Sequence, residues 1–176
     1  MAGVIVIVII IVLGVLFYFA GEARNKSRRK GSKQTEYAKE MSLTSNYTAI
    51  TTSASVEQVK DSINSRLTLA KTQKDDVQGD DYRIVSDSGS QTTYKHNSTL
   101  NVMSDVADEF TARVGYKNNP DGLRVMVQIL QWQEKKGVAT RTALDAMQDF
   151  IDTVISSVRA IDSSARVETR PIPKRN

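Results

Sequence analysis

A protein that shuttles protons or attacks carbonyl carbons near neutral pH needs a histidine, a thiol or a carboxylate held beside a partner. This chain of 176 residues has one histidine, His96, and no cysteine. The missing thiols exclude a disulfide scaffold, a cysteine-ligated zinc or iron–sulfur centre, and a thiol nucleophile. A single histidine leaves no multi-histidine metal site. His96 follows Tyr94 and Lys95 on a stretch that reads as a hairpin strand, and the sequence offers it no acid–base partner. It is expected to be a surface strand residue. Asp75, Asp76, Asp80 and Asp81 surround Gly79. Their spacing does not fit the D-x-[DN]-x-[DN]-G loop, and no glutamate follows where the bidentate calcium ligand belongs, so a solvated acidic loop is expected. Asp145, Asp149 and Asp152 share one face of a helix by their spacing. With no histidine beside them they read as a solvated face or as a docking surface for a basic partner. Neither a G-x-S-x-G elbow nor a phosphate-cradling glycine loop occurs. The expectation is a non-enzyme with no catalytic residue, metal or cofactor.

The elements that would position these residues follow from periodicity. Residues 43–52 read as a first strand. Ser55-Val56-Glu57-Gln58 is a capping box, and Val56, Val59, Ile63 and Leu67 recur at helical spacing after it, so a short helix is expected to about Leu69. Residues 82–87 and 91–97 flank Ser88-Gly89-Ser90 as a hairpin, and 99–103 could add a strand. Phe110, Ala112, Val114 and Tyr116 alternate with Thr111, Arg113, Gly115 and Lys117, the signature of a strand with one apolar face. Asn118-Asn119-Pro120-Asp121-Gly122 is dense turn chemistry. Leu123, Val125, Val127 and Ile129 continue the alternation, while Met126, Leu130 and Trp132 make the opposite face partly apolar. Trp132, the sole tryptophan, reads as a packing residue or as an interface anchor. Thr142 to Asp145 resembles a second capping box, followed by the stripe Leu144, Met147, Ile151, Val154, Val158 and Ile161 on a long helix over 143–162. Residues 166–169 could form a last strand.

Ahead of these elements, residues 2–20 contain no charged side chain. About 20 residues at about 1.5 Å each cross about 30 Å, the thickness of a bilayer's hydrocarbon core. Phe17, Tyr18 and Phe19 would sit at the headgroup interface. Nothing basic precedes the apolar run, so an uncleaved anchor is expected rather than a signal peptide. Arg24, Lys26, Arg28, Arg29, Lys30 and Lys33 follow it directly, which by the positive-inside rule keeps that side in the cytoplasm and leaves the N-terminus outside. These basic residues are expected to lie at the membrane surface against anionic lipid headgroups. The whole-chain charge of +4 resolves into +4 over 22–40, −3 over 41–165 and +3 over 166–176. The folded stretch is mildly acidic and reads as lacking the basic face of a nucleic-acid binder, so no nucleic acid is expected as a partner.

The resulting layout is a transmembrane helix over 1–21, a basic juxtamembrane linker over 22–40, a cytoplasmic α+β domain over 41–170 and a tail over 171–176. In that domain an antiparallel sheet is expected to be packed by a short helix and a long C-terminal helix. The strand entering Ser55-Val56-Glu57-Gln58-Val59, the late hairpin around Asn118 to Gly122 and the final amphipathic helix give an order that resembles the helix-grip superfamily, with its START-like and polyketide-cyclase-like domains. The resemblance implies a hydrophobic ligand held between sheet and helix. The single span ahead of a compact inner domain is similar in layout to small accessory subunits of bacterial respiratory supercomplexes. The expectation is therefore an accessory or assembly subunit of an integral membrane complex in the inner (plasma) membrane. A membrane-tethered carrier of a lipid or other hydrophobic molecule is the alternative. Docking to the partner would fall to Phe17, Tyr18, Phe19, Trp132, Asp145, Asp149 and Asp152.

Overall fold

The computed structural model describes residues 33–67, 69, 80–98, 109–135 and 138–173. The fold is α+β, with three helices and a six-stranded antiparallel sheet. A helix over 33–44 (α1) leads into β1, Asn46–Thr52, and α2, Val56–Arg66. Then come β2, Asp80–Asp87, β3, Gln91–Ser98, β4, Phe110–Asn119, and β5, Gly122–Trp132. A two-residue ribbon, β6 at Glu134–Lys135 and β7 at Val138–Ala139, precedes α3, Arg141–Ile161, and β8, Arg166–Pro171. The order across the sheet is β2-β3-β4-β5-β1-β8. Strands far apart in sequence thus lie side by side, with β1 between β5 and β8.

Strand alternation sorts the sheet into two unlike faces. Ala112, Val114, Leu123, Val125, Val127 and Ile129 point to the inner face and are buried. Helices α2 and α3 pack on that face and against each other, and the Ser62 hydroxyl donates to the Ser157 carbonyl at 2.9 Å between them. Helix α3 brings in Leu144, Met147, Ile151, Val154 and Val158, the expected stripe, and also Phe150, which is fully buried. Phe150 meets Tyr82, Tyr94 and Phe110 with ring centroids 5.5, 5.6 and 6.0 Å away. These tilted and edge-on contacts are the arrangement that aromatic quadrupoles favour.

The caps explain where the helices begin. The Ser55 side chain accepts from the Gln58 N–H, and the Gln58 side chain accepts from the Ser55 N–H at 2.9 Å, so the expected capping box is formed. Its helix stops at Arg66, where the Leu67 backbone turns extended. The cap of α3 is Thr140, two residues before the expected Thr142, and its hydroxyl accepts from the Ala143 N–H at 3.2 Å. Ile161, placed in the apolar stripe, is 42% exposed because it ends the helix beyond the edge of the core. Residues 43 and 44 close α1 rather than open β1, with Leu43 buried in the core and the Thr44 hydroxyl donating to the Glu40 carbonyl. The turn between β4 and β5 needs Gly122. Its φ is +117°, and a Cβ there would stand 2.5 Å from the Thr52 carbonyl oxygen.

His96 is not a surface residue. It is 2% exposed and lies between the rings of Tyr82 at 4.8 Å and Phe110 at 5.0 Å. The alternation Thr92, Tyr94, His96 carries it to the inner face, where its cross-strand neighbours are Tyr82 and Phe110.

Among the described residues no helix is long and apolar enough to cross a membrane. The expected span over 1–21 lies outside them, as do Phe17, Tyr18, Phe19, Arg24, Lys26, Arg28, Arg29 and Lys30. Lys33 is exposed at the start of the described part of α1. The aspartates at 75 and 76 and the expected strand over 99–103 also fall outside.

Candidate functional site

Several acidic side chains are committed to structure. Glu40 of α1 is 5% exposed and uses both carboxylate oxygens: Oε1 accepts from Trp132 Nε1 at 3.0 Å and Oε2 from the Ala139 N–H at 2.8 Å. A buried carboxylate needs such donors, because an unpaired one would be costly. Beside it, Lys39 pairs with Asp145 of α3 at 2.6 Å. Helix α1 is therefore fastened to β5, to β7 and to the start of α3. At the other end of α3, Asp162 gathers five donors from three residues. Its Oδ2 accepts from the Thr52 hydroxyl, the Ser53 N–H and the Ser53 hydroxyl at 2.8, 2.8 and 3.0 Å. Its Oδ1 accepts from the Ser164 N–H and hydroxyl at 3.0 and 2.6 Å. These donors, the Ser164 hydroxyl foremost, hold its carboxyl well below the usual carboxylate range.

Between α2 and the sheet lies a cluster of hydroxyls. Tyr94 donates to Asn64 Oδ1 at 2.9 Å, and Lys60 pairs with Asp87 at 2.7 Å while lying 5.3 Å from the Tyr116 ring centroid. Burial pushes the Tyr94 and Tyr116 phenols up, so both stay protonated at neutral pH. The hydroxyls of Thr92 and Tyr94 are near enough to Tyr116 to act on its ionisation, yet no partner is aligned for a bond to the Tyr116 hydroxyl. The Lys60 ammonium depresses the Asp87 carboxyl. A protonated phenol and a cation already paired with an acid supply neither base nor nucleophile, so this cluster can orient and pack but is not set up for proton transfer.

Among the described residues no helix packs on the outer face of the sheet, and its chemistry is different. Arg113, Gly115 and Lys117 of β4, Arg124, Met126 and Gln128 of β5, and Arg166 and Arg170 of β8 alternate with the inward residues. The register lines them up in rows. Lys117, Arg124, Thr51 and Arg166 form one row, and Gly115, Met126, Ala49 and Glu168 form the next. The missing side chain at Gly115 and the short one at Ala49, beside a row rich in basic residues, make a trough. A hollow of about 540 Å³ occupies it, lined among others by Tyr47, Arg113, Gly115, Lys117, Met126 and Pro173. Further along the same face a second hollow of about 400 Å³ lies over Lys95, Glu109, Thr111 and Trp132, where Lys95 is 3.3 Å from Glu109. Charge counted along the chain conceals this basic face, on which Glu168 and Glu109 are outnumbered by arginine and lysine.

The structure separates the residues singled out from sequence. Asp145, Asp149 and Asp152 are all exposed along α3, as expected from their spacing, but Asp145 is engaged by Lys39, and Asp152 accepts from Gln148 at 3.1 Å. Lys39 depresses the Asp145 carboxyl. Trp132 is half-buried, with its N–H given to Glu40 and its side chain at the rim of the smaller hollow. No cluster of three metal-ligating side chains occurs among the described residues. Glu40, Phe150 and Asp162 escaped the sequence reading. Phe150 alone left a signal, three residues after Met147 and four before Val154 on the same stripe. Comparison with protein-family models, with curated proteins and with solved structures finds no match to this chain.

Proposed function

We propose that the chain is a non-catalytic, single-pass membrane protein that serves as an accessory or assembly subunit of a larger membrane complex. In this reading residues 1–21 anchor it in the inner (plasma) membrane, and the α+β domain docks on the partner from the cytoplasmic side. The observation that carries the reading is the Glu40 clamp. Helix α1 follows the apolar and basic stretches in sequence, and Glu40 ties it to Trp132 and Ala139 by two charge-assisted hydrogen bonds. A domain that holds α1 in this way keeps that helix as part of its own packed body, which suits a subunit that presents one fixed surface. Two further features support it: no helix of the described residues covers the outer sheet face, and the exposed α3 face displays Asp149 and Asp152.

The carrier alternative, with a ligand gripped between sheet and long helix, meets an obstacle in the packing. That space is filled by Phe150, Tyr94, Phe110 and Met147. Purification of the full chain from its native membrane in a mild detergent separates the two readings. A subunit retains partner proteins in fixed stoichiometry. A monodisperse single chain carrying a defined lipid would overturn the subunit reading.

A further inference from the structure

The geometry points to the trough on the open sheet face as a binding site for one anionic amphiphile, a phospholipid with an acidic headgroup. This inference stands apart from the subunit reading, since it rests on the sheet alone. The trough of about 540 Å³ falls in the range of about 300–1,000 Å³ typical of small-molecule sites. Its floor is apolar and shallow, because Gly115 lacks a side chain where Met126 and Ala49 lie in the same cross-strand row. Ile172 and Pro173, which follow β8, add apolar surface at its edge. Its cations are uncommitted. Neither Arg113 nor Lys117 makes an ion pair among the described residues, and the Arg113 Nε is shielded from water with no hydrogen-bond partner among them. The Arg113 and Lys117 charges thus have no acid among the described residues to offset them, and an anionic group in the trough supplies one.

The chemistry selects the ligand class. Arginine presents a fork that matches a phosphate or carboxylate, and Lys117 adds a second positive charge two residues along the same strand face. The apolar strip of Gly115 and Met126 suits an alkyl or glyceryl portion and gives no advantage to a bare ion. Stacking platforms are sparse: of the two tyrosines lining the trough, Tyr116 is buried with its ring against Lys60 of α2, which leaves Tyr47 and disfavours a nucleic-acid strand. A hollow lined by Lys95 and Glu109 lies beside it, and there the cation is already paired.

The test titrates dioleoyl phosphatidylglycerol and dioleoyl phosphatidylcholine separately against the full chain in dodecyl maltoside, with bound lipids counted by native mass spectrometry. The expected result is one tight phosphatidylglycerol, with phosphatidylcholine about tenfold weaker, the order of one charge-assisted hydrogen bond. Arg113→Gln with Lys117→Gln abolishes that preference. Gly115→Leu fills the trough without changing charge and abolishes the tight adduct. The Gly115 position tolerates a side chain, because its nearest neighbour is the mobile end of Met126, 3.4 Å from a built Cβ. Lys95→Gln leaves binding unchanged. Lys117→Gln alone, at an exposed position, keeps the test available if a double variant fails to fold. Equal binding of the two lipids, or a tight adduct that survives both the charge variants and Gly115→Leu, overturns the proposal. So does displacement of the lipid by inorganic phosphate or by a single-stranded oligonucleotide at equal concentration.

Discussion

Trp132 donates its indole N–H to the carboxylate of Glu40 at 3.0 Å, across 92 residues of chain. The second oxygen of the same carboxylate holds the Ala139 N–H, so one buried acid joins α1, the end of β5 and the ribbon before α3. Such an acid is an uncommon choice for stability alone, since well-packed apolar groups often serve as well as buried charges. What it supplies is a directional lock on α1.

Glu40→Ala therefore removes the acceptor for one part-buried donor, the Trp132 indole, and one buried donor, the Ala139 N–H. The expected loss of stability is about 1.5–3 kcal/mol, the size of hydrogen bonds to a charged group. Because Trp132 is the only tryptophan, its fluorescence reports the clamp directly. The variant shifts Trp132 emission to the red below the unfolding transition, and unchanged emission with an unchanged melting temperature would contradict the clamp.

Asp162 makes stability depend on acid. Its folded carboxyl titrates well below the ordinary value of 3.8, so its contribution is complete above that value and is lost as pH falls through the folded one. Asp162→Asn keeps the shape but turns an amide N–H₂ toward donors. The variant melts lower than wild type at pH 7, and the gap narrows as pH is taken below about 3.8. Thermal melts at a series of pH values check this, and a gap that is constant down to pH 2 would refute it.

Two positions on α3 separate burial from spacing. Phe150→Ala empties the centre of the aromatic cluster and costs about 3–5 kcal/mol. Ile161→Ala, on the same helix at an exposed position, stays within about 0.5 kcal/mol of wild type. Denaturant titrations of the two variants should differ in midpoint and agree in slope.

Gly122→Ala places a Cβ 2.5 Å from the Thr52 carbonyl oxygen at a backbone φ of +117°. The expected cost is about 1–3 kcal/mol of backbone strain together with the displacement of β1 from the turn. Gly89→Ala, at φ +78° with no atom near the new Cβ, incurs the strain without the collision and is the milder change. Equal melting temperatures for the two variants would contradict the close approach at Thr52.

Local signals in the sequence were legible where one element explains itself. The Ser55–Gln58 box, the Gly89 hairpin, the alternation of β4 and β5 and the stripe of α3 each act within a few residues. Long-range chemistry was not legible. Glu40 stands in a charged run and looks solvated until Trp132 and Ala139 arrive from the far end of the chain. His96 looked exposed beside Lys95, although the alternation with Tyr94 already pointed it inward. The basic outer face depends on the register of β4, β5, β1 and β8, which no linear charge count contains.

We propose a membrane-complex subunit whose α1 is locked to the domain by Glu40. Native mass spectrometry of the chain released from its own membrane in mild detergent tests it most directly, with wild type and Glu40→Ala run in parallel. The expected wild-type spectrum shows an assembly containing this chain and other proteins in fixed ratio, and in the variant this chain dissociates from that assembly. A wild-type spectrum showing only the mass of the single chain, with or without lipid, would contradict it.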